Sequence, residues 1–281
     1  MGQTELNIAG SIIKTTDDMY FYAIGESPRG VLAYVPDCEA LRGFKQKRFC
    51  GKIYRKVFGR SLEGVIDTGY EVEKGWNLLQ RIPEDKIEFL RHPKEIAERM
   101  CVELHLDELA SLFDLSFDDI GIGGSVGIEF VPSQMHDIDI FFYGKGIAPH
   151  VWKKMSQFTR EKPVYFDKGW CTIGFEFYNF PYCIHVLPHH EENELEGMKI
   201  EYIDEIDVDD KIGGLIEPLI LPTVLMLQSG LRFISYRPGH PNLFKEGDRI
   251  KVKDADLVHV TTRNDEFDAV LLTKYQWVEI I

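Results

Sequence analysis

The chain has no apolar run approaching the roughly 18 residues that a membrane-crossing helix needs. A basic stretch followed by an apolar one is also missing from its first residues, so no signal peptide is expected. Cysteine is sparse. The five at positions 38, 50, 101, 171 and 183 are scattered, odd in number and form no CxxC pair, so they read as reduced thiols of a cytoplasmic protein. There is no repeat at a fixed period and no low-complexity segment. Positive charge is in deficit. With 32 Lys and Arg against 46 Asp and Glu, the net charge of −14 opposes wrapping a polyanion and argues against a processive polymerase.

What is present is an ordinary core-forming composition, 44% hydrophobic and 12% aromatic over 281 residues, enough for two or three compact units. Within it stands the segment 121–144, GIGGSVGIEFVPSQMHDIDIFFYG, where Gly123-Gly124-Ser125 precedes Asp137-Ile138-Asp139. The run from Asp137 to Tyr143 is β-branched and aromatic and predicts a strand. Its two acids, two residues apart, share a face and can converge on one hard cation such as Mg²⁺, or Mn²⁺ in its place.

The upstream Ile120 and Ile122 predict a short strand that ends at the glycines, where missing side chains let an anion approach the backbone. Ser125 adds a hydroxyl and opens a short helix over Val126 to Phe130. A side chain at Gly124 would fill the space that phosphates need. The other reading is a strand whose first two acids only solvate its end. Asp207-Val208-Asp209 and Asp254-Ala255-Asp256 repeat the Asp-x-Asp pattern in polar, turn-like or edge contexts without an upstream Gly-Ser, and neither is expected to bind a metal.

The combination of Gly-Ser, a spacer and Asp-x-Asp resembles the minimal nucleotidyltransferase domain of the DNA polymerase β superfamily. Further stretches resemble archaeal-type nucleotidyltransferase-domain proteins of uncharacterised substrate: KIYRKVF at 52–58, IPEDKIEFLRHPKE at 82–95 and VDDKIGGLIEPLILP at 208–222. That resemblance implies that Gly124 and Ser125, with Gly123 beside them, hold an NTP triphosphate while Asp137 and Asp139 hold Mg²⁺. It also implies a third carboxylate on a later strand, serving a second metal.

The predicted hairpin over 172–187 lacks an Asp at that place. Its second strand carries Cys183 and His185 on one face, and Glu176 on its first strand is the nearest acid. Three readings stay open: Glu176 completes the catalytic set with Asp137 and Asp139; His185 acts as base or ligand; or the chain binds nucleotide without rapid turnover. His185, His189 and His190 also hint at zinc, without a CxxC to accompany them.

Residues 42–60, RGFKQKRFCGKIYRKVFGR, hold eight Lys or Arg and no acid, interleaved with Phe44, Phe49, Tyr54 and Phe58. This composition suits an RNA or protein acceptor, and equally a solvated strand pair whose aromatics are core.

The expected fold is α+β: an N-terminal β-rich unit and linker over 1–92, a polymerase-β-like nucleotidyltransferase core of mixed sheet and helices over 93–190, and a small C-terminal β-barrel over 191–281. Three function classes follow: a Mg²⁺-dependent nucleotidyltransferase acting on an unidentified acceptor, a nucleotide- or RNA-binding module with little turnover, and a structural adaptor whose terminal barrel recruits another protein.

Overall fold

The computed structural model describes residues 9–23, 29–57, 67–72, 79–129, 137–161, 174–189, 192–193, 195, 198–237, 239–272 and 278–281. Three sheets organise them. The first contains β1 (Ile12–Thr15), β2 (Tyr20–Ala23), β3 (Arg29–Pro36), β4 (Lys45–Phe49), β5 (Lys52–Lys56), β6 (Glu71–Val72), β7 (Leu79–Arg81) and β8 (Ile87–Arg91), all paired antiparallel.

Next come α1 (Pro93–Met100) and α2 (Leu106–Leu112). Proline occupies the first turn of α1, where its missing N–H costs nothing. The His92 ring accepts from the Lys94 N–H while Glu95 reaches back to the His92 N–H, so the helix start is capped from both sides.

The second sheet comprises β9 (Ile120–Ile122), β10 (Ile138–Tyr143), β11 (Gly174–Phe177) and β12 (Phe180–Leu187), in the order β11-β12-β10-β9. A single helical turn, α3 (Val126–Glu129), follows β9, and α4 (Ala148–Glu161) follows β10. Period-two alternation gives this sheet two different faces. Ile138, Ile140, Phe142, Tyr182, Ile184 and Val186 are buried against the helices. Asp139, Phe141, Tyr143, Cys183, His185 and Leu187 alternate with them and occupy the other face.

The third sheet holds β13 (Lys199–Glu217), β14 (Thr223–Leu227), β15 (Arg232–Ser235), β16 (Arg249–Thr261), β17 (Glu266–Leu272) and β18 (Val278–Ile280). Its order is β13-β14-β15-β17-β16-β18, and β13 also pairs with β16, which closes a ring of five strands.

The architecture corrects the expected fold class. The structure is 49% strand and 18% helical, with three sheets, so it is a β-rich fold and not an α+β polymerase-β-like core. The reason lies in run lengths. The helical patterns yield short helices of eight and seven residues in α1 and α2, whereas β13 alone runs 19 residues. Strand-forming sequence outweighs helix-forming sequence once the flanking sheets are counted.

Contacts tie the sheets together at the centre of the chain. Arg91, at the end of β8, donates to the Gly127 and Ile128 carbonyls of α3 at 2.6 and 2.7 Å. The Glu129 carboxylate accepts from the Cys50 N–H at the β4-β5 turn, 2.9 Å away. On the other side the Trp152 indole of α4 donates to the Leu219 carbonyl at 2.7 Å, and Lys145 pairs with Glu217.

Candidate functional site

The Gly-Gly-Ser turn and the Asp-x-Asp strand come together. Strand β9 lies antiparallel to β10, and the Gly123 N–H extends their pairing by donating to the Asp139 carbonyl at 2.9 Å. Gly123 therefore spends its N–H on the sheet. Gly124 has φ +63°, a conformation that side chains disfavour, and a Cβ built there would lie 1.9 Å from Asp139 Oδ2. The glycine is required by the carboxylate: a side chain at 124 would take Asp139's space before it met any phosphate. Ser125 is buried, 7% exposed, and opens α3, a single turn with Phe130 outside the described residues.

Asp139 is gripped on its other oxygen. Strand β12 runs parallel to β10 with Cys183 level with Asp139 and His185 level with Phe141. From there His185 Nε2 lies 2.9 Å from Asp139 Oδ1, and the His185 side chain is 5% exposed against 14% for Asp139. The imidazole stacks on the Phe141 ring at 4.9 Å, and its Nδ1 is buried without a hydrogen-bond partner. The histidine thus stands on the strand where a third acid was sought.

Cys183 belongs to the same cluster. Ligand atoms of Asp139, Cys183 and His185 all lie within 4.8 Å of one another, and no other such trio occurs among the described residues. Cys183 is, however, held in a disulfide, which corrects the reading of the cysteines as reduced thiols; Cys38, Cys50 and Cys101 are free. A disulfide sulfur is not a thiolate, so in this oxidation state the trio offers a metal two ligands.

Asp137 is partly buried just ahead of β10. Glu176 is exposed on the outer strand β11, opposite Pro181 of β12. Two strand spacings, roughly 10 Å, separate it from the row of Asp137. Neither acid joins the converging trio. His189 packs near Gly144, its Nε2 3.2 Å from where a Cβ would stand, and His190 lies outside the described residues.

Two residues emerge that sequence reasoning missed. Tyr34 of β3 is buried and hydrogen-bonded to Tyr22 of β2 and to Ser125. Burial pushes both phenols up in pKa, and the negative charges of Asp139 and Asp137 add to the shift. The N-terminal sheet therefore roofs the Gly-Gly-Ser turn with tyrosine hydroxyls. In sequence these tyrosines are indistinguishable from the core aromatics around them, because only the packing of one sheet on another brings them to the acids.

The basic segment 42–60 divides. Phe49 and Tyr54 are core residues, each 1% exposed, so neither ring is presented for stacking on a base. Arg55 pairs with Asp37 at 2.5 Å and Lys52 with Asp18 at 2.7 Å. Phe58 lies outside the described residues. Of the other Asp-x-Asp pairs, Asp209 binds Arg249 at 2.6 Å and Asp207 accepts from the Asp254 N–H at 3.1 Å, whereas Asp256 is buried, 2% exposed.

No family model, curated protein or solved structure matches this chain.

Proposed function

We propose that the cluster around Asp139 binds the phosphates of a nucleoside triphosphate with one divalent cation, and that it turns the nucleotide over slowly. The observation that carries this reading is the meeting of the Gly-Gly-Ser turn with Asp139 across the adjacent strands β9 and β10. Asp137 and Asp139 supply hard oxygen donors of the kind Mg²⁺ takes, with phosphate and water completing its shell. Asp139 stands in the converging cluster and Asp137 just ahead of its strand. Bound there, Mg²⁺ would neutralise phosphate charge beside the two acids.

Slow turnover follows from His185. Two-metal nucleotidyl transfer needs carboxylates for both the attacking and the leaving oxygen, and an imidazole has no negative charge to replace the third one. Asp139 also has Oδ1 engaged by that imidazole. Tyr34 adds a barrier, since phosphate reaching Ser125 must displace a buried hydroxyl contact.

A nucleotidyltransferase is the second reading, favoured by one observation: His185 is paired with Asp139, and a histidine oriented by a carboxylate is a common general base. Pyrophosphate release from each NTP separates the two. Slow release by the wild type, with at least a tenfold rise in His185→Asp, supports the binding module. Wild-type release at the ~1 to 10³ s⁻¹ typical of enzymes would establish the transferase instead.

A further inference from the structure

We propose that Asp139, Cys183 and His185 form a zinc site that reduction of the Cys183 disulfide makes available. The three donors come from adjacent strands, β10 and β12, whose parallel register sets Asp139 beside Cys183 and brings His185 to the carboxylate. All three ligand atoms lie within 4.8 Å of one another. In a tetrahedral zinc site, bonds of about 2.0 Å to nitrogen and oxygen and about 2.3 Å to sulfur place ligands roughly 3.3 to 3.8 Å apart. The 2.9 Å His185–Asp139 contact needs to open by only a few tenths of an ångström to admit the ion.

The donor chemistry selects the metal. A thiolate, an imidazole and one carboxylate are the ligands of Zn²⁺, not of Mg²⁺. Three protein ligands leave a fourth position, as in catalytic zinc sites, and Asp139 is the ligand with solvent access, at 14% exposure. In the metal-free site the Asp139 carboxylate holds the ring proton on Nε2, so metal binding requires that proton to leave or to move to the unpartnered Nδ1 before Nε2 can give its lone pair to the ion.

The disulfide controls access. A dithiol reduces it by supplying two electrons and two protons, forming its own S–S bond and leaving two protein thiols. The Cys183 thiol then loses its proton to water as Zn²⁺ takes the thiolate. Because Asp139 is shared, the zinc-loaded site takes a ligand from the Mg²⁺ position.

Cobalt(II) alone is a direct probe, since thiolate ligation gives a sulfur-to-cobalt charge-transfer band. Reduced wild-type protein should bind one Co²⁺ per chain with that band, displaced by Zn²⁺. Oxidised wild type and Cys183→Ser should lack the band and bind at least tenfold more weakly. A reduced wild type without the band overturns the proposal. So does a band that persists in Cys183→Ser, which would assign it to another cysteine. If Cys183→Ser fails to fold, reduced His185→Gln serves instead: it should bind Co²⁺ at least tenfold more weakly than reduced wild type, and equal binding overturns the proposal. Mg·ATP binding to oxidised protein is read separately, so failure of the nucleotide reading leaves this result standing.

Discussion

Gly124 and Asp139 make a mutual constraint that can be measured as a coupling. Any side chain at 124 meets two costs: a φ of +63°, and a carboxylate oxygen 1.9 Å from the new Cβ. Gly124→Val should therefore destabilise the fold by roughly 2 to 4 kcal/mol, read by chemical denaturation. Gly124→Ala should cost less in an Asp139→Ala background than alone, because the clash is removed and only the backbone strain stays. Equal costs in both backgrounds would show that Asp139 does not restrict the turn. The importance of Gly124 was legible in the sequence; its cause was not, because the partner that forbids a side chain sits 15 positions away on a neighbouring strand.

His240 is a second residue whose environment sets a measurable property. It is 4% exposed, packed on Phe233 and Phe244, and burial, with Arg237 nearby, lowers its pKa to about 3. Between that value and the ordinary 6.5 the unfolded chain binds the extra proton, so stability rises with pH across this window and is lost as pH falls through it. The contribution approaches about 1.4 kcal/mol per pH unit. His240→Phe should flatten the pH dependence of the denaturation midpoint between pH 3 and 6.5 relative to wild type. An unchanged slope would show that His240 is not buried neutral.

At the scale of elements, α1 links the N-terminal sheet to the central one and depends on its cap. Removing the His92 ring in His92→Ala takes away the acceptor for the Lys94 N–H and should cost about 1 kcal/mol, with nucleotide affinity unchanged. A loss of affinity matching the loss of stability would mean that α1 holds the site more directly than its contacts indicate. Elements were readable where local pattern decides. The strand at Asp137–Tyr143, the helix around 149–158 and the hairpin ending at Leu187 all follow from periodicity and turn residues. Relations between elements were not. That β12 runs parallel to β10, and so brings His185 to Asp139, depends on chain path and packing over 46 residues of separation.

Considered as a whole molecule, the chain closes its candidate phosphate turn with another sheet. Tyr34→Phe keeps the buried ring but removes the hydroxyl bonded to Tyr22 and Ser125. It should raise ATP affinity several-fold at a stability cost of about 1 kcal/mol, measured by titration and denaturation on the same protein. Lower affinity would make Tyr34 a ligand contact instead of a cover. Charge acts at the same scale. The net charge of −14 repels a polyphosphate, so cation-free ATP should bind poorly at low salt, and Mg²⁺ is needed to offset that field.

The most direct test of the nucleotide reading is calorimetric titration of the oxidised protein with ATP, with and without Mg²⁺, in wild type and in the Asp137→Ala, Asp139→Ala double variant. Mg²⁺-dependent binding by wild type that disappears in the double variant is the predicted result. Equal affinity in the two proteins, or wild-type binding that ignores Mg²⁺, would contradict it.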